Sequence, residues 1–188
     1  LLFERRELGA VVGVGLPSRI PSHRDAQRAL EAVLVRAAGG PAQDILRGPL
    51  AEQLRRVAAS LEPAAPRIVW LESHGWDTHT AQGTATRGRL ATAIDELGTA
   101  LLDFHAAAGP HFSSVRGAIV TEFGRTLAET PTHGTDDAHA SVLITFGGNQ
   151  SGRVHGSYAS FEPLPPCQDR RRPPTGDLET LLTRCLRG

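Results

Sequence analysis

Eight consecutive residues, Glu72-Ser73-His74-Gly75-Trp76-Asp77-Thr78-His79, hold three side chains suited to gripping a cation. Glu72 and Asp77 offer carboxylate oxygens, and His79 offers an imidazole nitrogen. Divalent ions take these donors. The apolar run Ile68-Val69-Trp70-Leu71 precedes them and reads as a buried strand. The donors therefore lie just past a strand end, where open α/β sheets bind ligands. Asp77 and His79 stand two apart, so an extended backbone can turn both the same way. Glu72, five residues earlier, is within reach of a folded loop. A plainer reading stays open: Asp77 and Thr78 cap a following helix, with His74 and His79 exposed.

A second strand-like run, Gly117 to Val120, leads into Thr121-Glu122-Phe123-Gly124-Arg125. Glu122 and Arg125 form a candidate pair there, or else a surface ion pair at a turn. After a short loop, Gly134-Thr135-Asp136-Asp137-Ala138-His139 places three potential ligands within four residues, unless it is simply a polar loop. His155 lies in a glycine-rich stretch, Gly152 to Gly156, and is a weaker candidate. Ser22 opens Ser22-His23-Arg24-Asp25. It is a candidate nucleophile at a helix N-terminus. The same four residues also fit a capping box, with Ser22 as cap and Asp25 three residues in. Adjacent Ser and His do not share a helix face, and the chain has no Gly-x-Ser-x-Gly, so a serine-hydrolase triad is disfavoured.

The positioning elements follow from periodicity. Ala10 to Gly15 reads as a short strand. Ser22 opens a helix with Ala26, Leu30, Val33, Leu34 and Ala37 on one face, ended by Gly39-Gly40-Pro41. Gly48-Pro49 starts a second helix, with Leu50, Leu54, Val57 and Leu61 along one side. The longest helix is expected over 84–108, with Leu90, Ile94, Leu97, Leu101, Phe104 and Ala108 as its buried stripe. Strands are expected over 115–121 and 141–146. Residues 147–176 read as loop, including a solvated Arg170-Arg171-Arg172, and 177–186 as a last amphipathic helix. The opening Leu1 to Arg6 reads as helix. Alternating strands and helices predict an α/β fold with a mainly parallel sheet and helices on both faces.

Composition sets bounds. The 188 residues, 40% apolar, suit one domain over 1–188. The formal net charge is zero and the arginines are dispersed, which gives no electrostatic case for nucleic acid or an anionic membrane. No apolar run approaches the ~20 residues that span a bilayer. All 20 basic residues are arginine, which reads as codon bias in a GC-rich genome. Without methionine, the chain reads as a fragment or processed form whose first residues lie inside a fold. Cys167 and Cys185 stand 18 apart, open either to a disulfide or to separate roles.

The ordered motifs carry a resemblance. Gly75-Trp76-Asp77-Thr78-His79, then Glu122-Phe123-Gly124-Arg125-Thr126, then Gly134-Thr135-Asp136, then Gly147-Gly148 and Gly152-Arg153-Val154-His155-Gly156 resemble the bacterial domain of unknown function 1501 family. So does the early stretch Val14-Gly15-Leu16-Pro17 with Ser22-His23 and Asp25-Ala26-Gln27. The likeness spans about residues 7 to 187, shortened between Gly40 and Leu50. That family resembles alkaline phosphatases and sulfatases. The resemblance implies a mainly parallel sheet between helix layers, here N-terminally truncated. It also implies hydrolysis of a small anionic phosphate or sulfate ester at a divalent metal, zinc first, with calcium, manganese or magnesium as alternatives. Carried over, Asp77, His79, Asp136, His139, Glu72 and Glu122 are metal ligands, Ser22 and Arg125 catalytic, and His155 substrate-binding. The family writes Gly-Thr-Asp-His where this chain has Asp137 in the histidine's place, and the strand with the first metal-binding Asp is not in the sequence. A non-catalytic binding or structural remnant of the same fold is therefore the alternative. The resemblance suggests export to the periplasm, with the cytoplasm as the other compartment, and leaves the oligomeric state open.

Overall fold

A computed structural model describes residues 2–5, 11–14, 43–46, 48–61, 68–121, 123–139, 141–148, 152, 154 and 180–181. Eight strands are present among them: β1 (Leu2–Arg5), β2 (Val11–Val14), β3 (Gln43–Leu46), β4 (Ile68–Leu71), β5 (Val115–Ile119), β6 (Gly124–Glu129), β7 (Thr135–Ala138) and β8 (Ile144–Gly147). Two α-helices, α1 (Leu50–Ala59) and α2 (Arg89–Ala108), lie between them, and a 3-10 helix spans Gly109–Ser114. Thr180 and Leu181 are helical. The remainder of the expected last helix, the helix from Ser22 and both cysteines lie outside the described residues.

Six strands form one sheet in the order β3-β4-β1-β2-β5-β8, with a further β1–β5 pairing. β1 runs antiparallel to β2, β4 and β5, β3 runs parallel to β4, and β2 parallel to β5. β8 is antiparallel to β5. The strands β2, β3, β4 and β5 therefore point one way, and β1 and β8 the other. The C-terminal ends of β4 and β5 consequently open toward the same edge of the sheet. β6 and β7 form a separate antiparallel hairpin.

The core forms where the two helices meet this sheet. Leu54, Val57 and Leu61 from and beside α1 pack with Ala100, Phe104 and Ala108 of α2 and with Val69, Leu71 and Val115. Val69 and Leu71 stand two apart on β4, so they share a face. The expected α1 stripe holds: Leu54, Val57 and Leu61 are buried and Leu50 packs against the cluster. Pro49 sits just before the first helical residue, and its carbonyl accepts the Glu52 and Gln53 amides. Phe104 meets Phe112 edge to face at 6.0 Å, closing the C-terminal end of α2 over the sheet.

Several expectations are corrected. The opening segment is strand β1, not helix. A four-residue piece is too short to hold a helix by itself, whereas pairing against Val12 and Val69 satisfies its backbone. The long helix begins at Arg89 rather than Thr84. Gly83 and Gly88 adopt φ of +91° and +113°, and the Thr84 amide turns back to the Arg87 carbonyl. Any Cβ on either glycine would strike the other's backbone, so this pinch excludes a helix. On α2 the stripe is buried at Phe104 and Ala108 but Ile94 is exposed, since α1 packs against the later turns. β8 begins three residues later than expected. Gln43–Leu46 is a strand within the stretch read as shortened, and the loop after Arg125 is the β6–β7 hairpin.

Candidate functional site

β4 ends at Leu71, and residues 72–88 leave it without helix or strand. The first anchor of this segment is Gln53 of α1, whose side-chain amide donates to the Glu72 carbonyl at 3.0 Å and also to the Gly48 carbonyl. Trp76 Nε1 donates to Ser73 Oγ at 2.9 Å. Further on, the segment lies along the edge of β7: the Thr135 amide donates to the Thr78 carbonyl at 3.3 Å. The Ala81 and Gln82 amides donate to the Thr132 and His133 carbonyls at 2.9 and 2.8 Å. Thr78 is buried, and its hydroxyl and that of Thr135 each donate to Gln82 Oε1 at 2.7 Å. The His79 carbonyl receives the Thr132 hydroxyl at 2.6 Å and the Thr130 hydroxyl at 3.4 Å. Gly134 makes the seating close, because a Cβ there would stand 2.3 Å from the Thr78 and His79 carbonyl oxygens.

This docking brings Asp77, His79, Arg125, Asp136 and Asp137 together. His79 Nδ1 lies 3.2 Å from Asp136 Oδ1 in hydrogen-bonding geometry. On the other side of the ring, Nε2 lies 3.3 Å from Asp77 Oδ1 and 3.4 Å from Asp137 Oδ1. Asp136 and Asp137 are neighbours on a strand and leave it on opposite faces. They nevertheless reach the same imidazole, because the Thr78–His79 backbone runs beside the strand edge. Asp136 is fixed further by its own amide, which donates to Thr126 Oγ1 at 3.0 Å.

Arg125 completes the cluster. It stands directly opposite Asp137 in the β6–β7 register. Nη1 donates to the Thr135 carbonyl at 2.8 Å and lies 3.3 Å from Asp137 Oδ1. Nη2 donates to the Trp76 carbonyl and to Asp77 Oδ1, both at 3.1 Å. Its guanidinium carbon lies 5.6 Å from the Phe123 ring centroid, a cation–π contact. One guanidinium thus joins the segment after β4 to both strands of the hairpin.

The electrostatics follow from these contacts. With Nδ1–H directed at Asp136, the Nε2 lone pair of a neutral ring would face two carboxylate oxygens. The Arg125 guanidinium brings positive charge to the same two oxygens. Asp137 Oδ1 is buried as an atom although its side chain is 44% exposed, and it has no hydrogen-bond partner among the described residues. Its two neighbours, His79 and Arg125, sit at ion-pair distance without hydrogen-bond alignment. Among the described residues, no group of three or more His, Cys, Asp or Glu side chains stands as a ready metal-ligand set.

The predicted site residues are distributed unevenly. Asp77, His79, Asp136 and Arg125 converge. His139 lies exposed just past β7 and takes no part in the His79 ion pairs. Glu72 holds its place through its carbonyl rather than through an ion pair of this cluster. Ser22, Glu122 and His155 lie outside the described residues. Asp137 was one of the three potential ligands seen in its run but was not carried over from the family resemblance as a ligand, and it joins the cluster. Its signal was the Gly-Thr-Asp-Asp run, read there as a departure from Gly-Thr-Asp-His.

The described residues form a mixed six-stranded sheet with two helices packed on it, and a carboxylate-rich polar cluster where the segment after β4 meets the β6–β7 hairpin. Residues 24–163 match the family model described as protein of unknown function (DUF1501), and the chain belongs to that family. No curated protein and no solved structure matches it. Among the described residues, no helix is long and apolar enough to cross a membrane.

Proposed function

We propose that this domain is built as a divalent-metal-dependent hydrolase of small phosphate or sulfate esters, of the alkaline phosphatase/sulfatase-like kind. The observation that carries the reading is the convergence of Asp77, Asp136 and Asp137 on the two ring nitrogens of His79. A metal-bound histidine commonly donates its other ring N–H to a carboxylate. In that pattern Asp136 would orient the ring, and His79 Nε2 with Asp77 and Asp137 would hold the ion. Donors of a tetrahedral ion with bonds near 2.0–2.2 Å lie about 3.3–3.6 Å apart. Two of the three separations such a set needs, 3.3 and 3.4 Å from Nε2 to the two Oδ1 atoms, fall near that spacing. Asp137 Oδ1, buried and without a hydrogen bond among the described residues, supplies a lone pair suited to a cation. Zinc accepts such a set, and so do manganese, magnesium and calcium where oxygen predominates. The ion would supply Lewis-acid stabilisation of charge developing on the ester oxygens. Ser22 is the proposed nucleophile, and His155 the proposed contact to the anionic group.

A second reading has its own observation. Arg125 pairs with both Asp77 and Asp137, so the chain itself supplies a cation where the ion would sit. On that reading the domain keeps the fold as a binding or structural module without turnover. One experiment separates the two. The protein is assayed against aryl phosphate and aryl sulfate with zinc, manganese, magnesium or calcium, beside Asp77→Ala and His79→Ala. Metal-dependent hydrolysis lost in both variants supports the hydrolase. No turnover under any metal, together with no bound metal after purification without chelator, supports the remnant.

A further inference from the structure

We infer that Gln82 is the positioning residue of the cluster: its side-chain oxygen accepts the Thr78 and Thr135 hydroxyls together and thereby sets how His79 meets Asp136. The inference concerns the geometry of that pair and holds under either reading above. The bridge itself is the first support. Both hydroxyls reach Gln82 Oε1 at 2.7 Å, and an amide oxygen has two lone pairs to receive them. Thr78 immediately precedes His79, and Thr135 immediately precedes Asp136. The bridge therefore ties the two backbones together one residue before the pair. The direct backbone link at this point is thin. The Thr135 amide meets the Thr78 carbonyl at 3.3 Å, past the usual N–H···O range, and the next links lie at Ala81 and Gln82. Thr78 is buried, so its hydroxyl requires an internal acceptor. The backbone is also bent to deliver Gln82. Its amide donates to the His133 carbonyl at 2.8 Å, and its carbonyl accepts the Leu90 amide at 3.2 Å. Among the described residues, the non-glycine residues with left-handed backbone are Ala81, at φ +49°, and His133, at φ +58°. One precedes Gln82 and the other receives its amide. Such backbone persists where its surroundings hold it, and it gathers at functional sites.

The consequence is chemical as well as structural. An ionised Asp136 offers only acceptors, so His79 Nδ1 carries the proton of their bond. Keeping the two at 3.2 Å holds Nδ1–H on the Asp136 side and presents Nε2 to Asp77 and Asp137. Gln82 thus governs which ring nitrogen faces which carboxylate. Glutamate at this position keeps an oxygen acceptor at the same chain length. Methionine keeps the length and removes the acceptor.

The test is nitrogen-resolved NMR of the His79 ring in the full chain. The parent should show a slowly exchanging ring N–H on Nδ1. Gln82→Met should lose that signal. Thr135→Val, which cuts one arm of the bridge and keeps the side-chain shape, should lose it too. Gln82→Glu and Thr135→Ser retain the hydrogen-bonding atoms and should retain the signal. Gly117→Ala, which loosens the sheet elsewhere, should also retain it, so lost stability alone does not give the result. If Gln82→Met does not fold, the two Thr135 variants carry the same readout. A parent without the signal overturns the inference. So does a signal that persists in Gln82→Met or Thr135→Val, or one that Gln82→Glu loses as fully as Gln82→Met. The readout needs neither turnover nor a metal, so a failed hydrolysis assay leaves it standing.

Discussion

A single guanidinium nitrogen, Arg125 Nη2, lies 3.1 Å from the Trp76 carbonyl oxygen and 3.1 Å from Asp77 Oδ1. It therefore grips the backbone of one residue and the side chain of the next. The two contacts differ in worth. Arg125 is 22% exposed, and losing it leaves the Trp76 and Thr135 carbonyls without this donor. Asp77 is largely in water. Arg125→Ala should cost about 2 kcal/mol of folding stability, and Asp77→Ala under about 1 kcal/mol. The Arg125–Asp77 coupling in a double-mutant cycle should also stay below about 1 kcal/mol. Urea denaturation of the four proteins decides it. A coupling several times larger would show the pair to be far better shielded than its exposure implies.

Gly134 fixes how closely the segment after β4 seats on the hairpin. A methyl group there would meet backbone atoms of Thr78 and His79, which cannot rotate away as a side chain could. Gly134→Ala should destabilise by about 1–3 kcal/mol. It should also push His79 away from Asp136, visible as a changed imidazole resonance. A variant with unchanged denaturation midpoint and unchanged His79 signals would contradict this seating.

Gly117 of β5 faces Phe146 of β8 across the sheet, and a Cβ at Gly117 would stand 2.2 Å from the ring. Here the obstacle is a side chain. Gly117→Ala should cost about 1–3 kcal/mol by overpacking. Combined with Phe146→Leu, the loss should be smaller than the sum of the single losses. Strict additivity in thermal melts would place the ring elsewhere.

Gln53 is buried and is the link between α1 and the start of the site segment. Its amide faces two carbonyl oxygens, Gly48 and Glu72. Gln53→Glu would turn an acceptor toward both and bury a charge, for a cost of at least about 2 kcal/mol near neutral pH. Amide exchange over residues 72–79 should quicken as that anchor is lost. Exchange as slow as in the parent would mean that the hairpin alone holds the segment.

The local patterns needed no tertiary partner to be read. The α1 stripe of Leu54, Val57 and Leu61, the apolar runs of β4 and β5, and the glycine-proline stop after Ala108 are properties of neighbouring residues. Periodicity reports which side of an element is apolar. The order of Asp77, His79, Arg125 and Asp136 along the chain was equally legible, and the four side chains converge in the fold. Leu2–Arg5 was misread because four residues carry too little pattern to choose between helix and strand; three strand neighbours made the choice. The β6–β7 hairpin escaped notice because its alternation is polar and half-exposed. Which acid meets which ring nitrogen was beyond sequence as well. His79 and Thr132, 53 residues apart, are joined by one hydroxyl–carbonyl bond, and that docking selects Asp137 over His139 and turns Arg125 inward. Sequence determined the donors and the elements that carry them. Tertiary structure decided their partners, because contact between distant segments depends on backbone seating at Gly134 and Thr78, which no local pattern encodes.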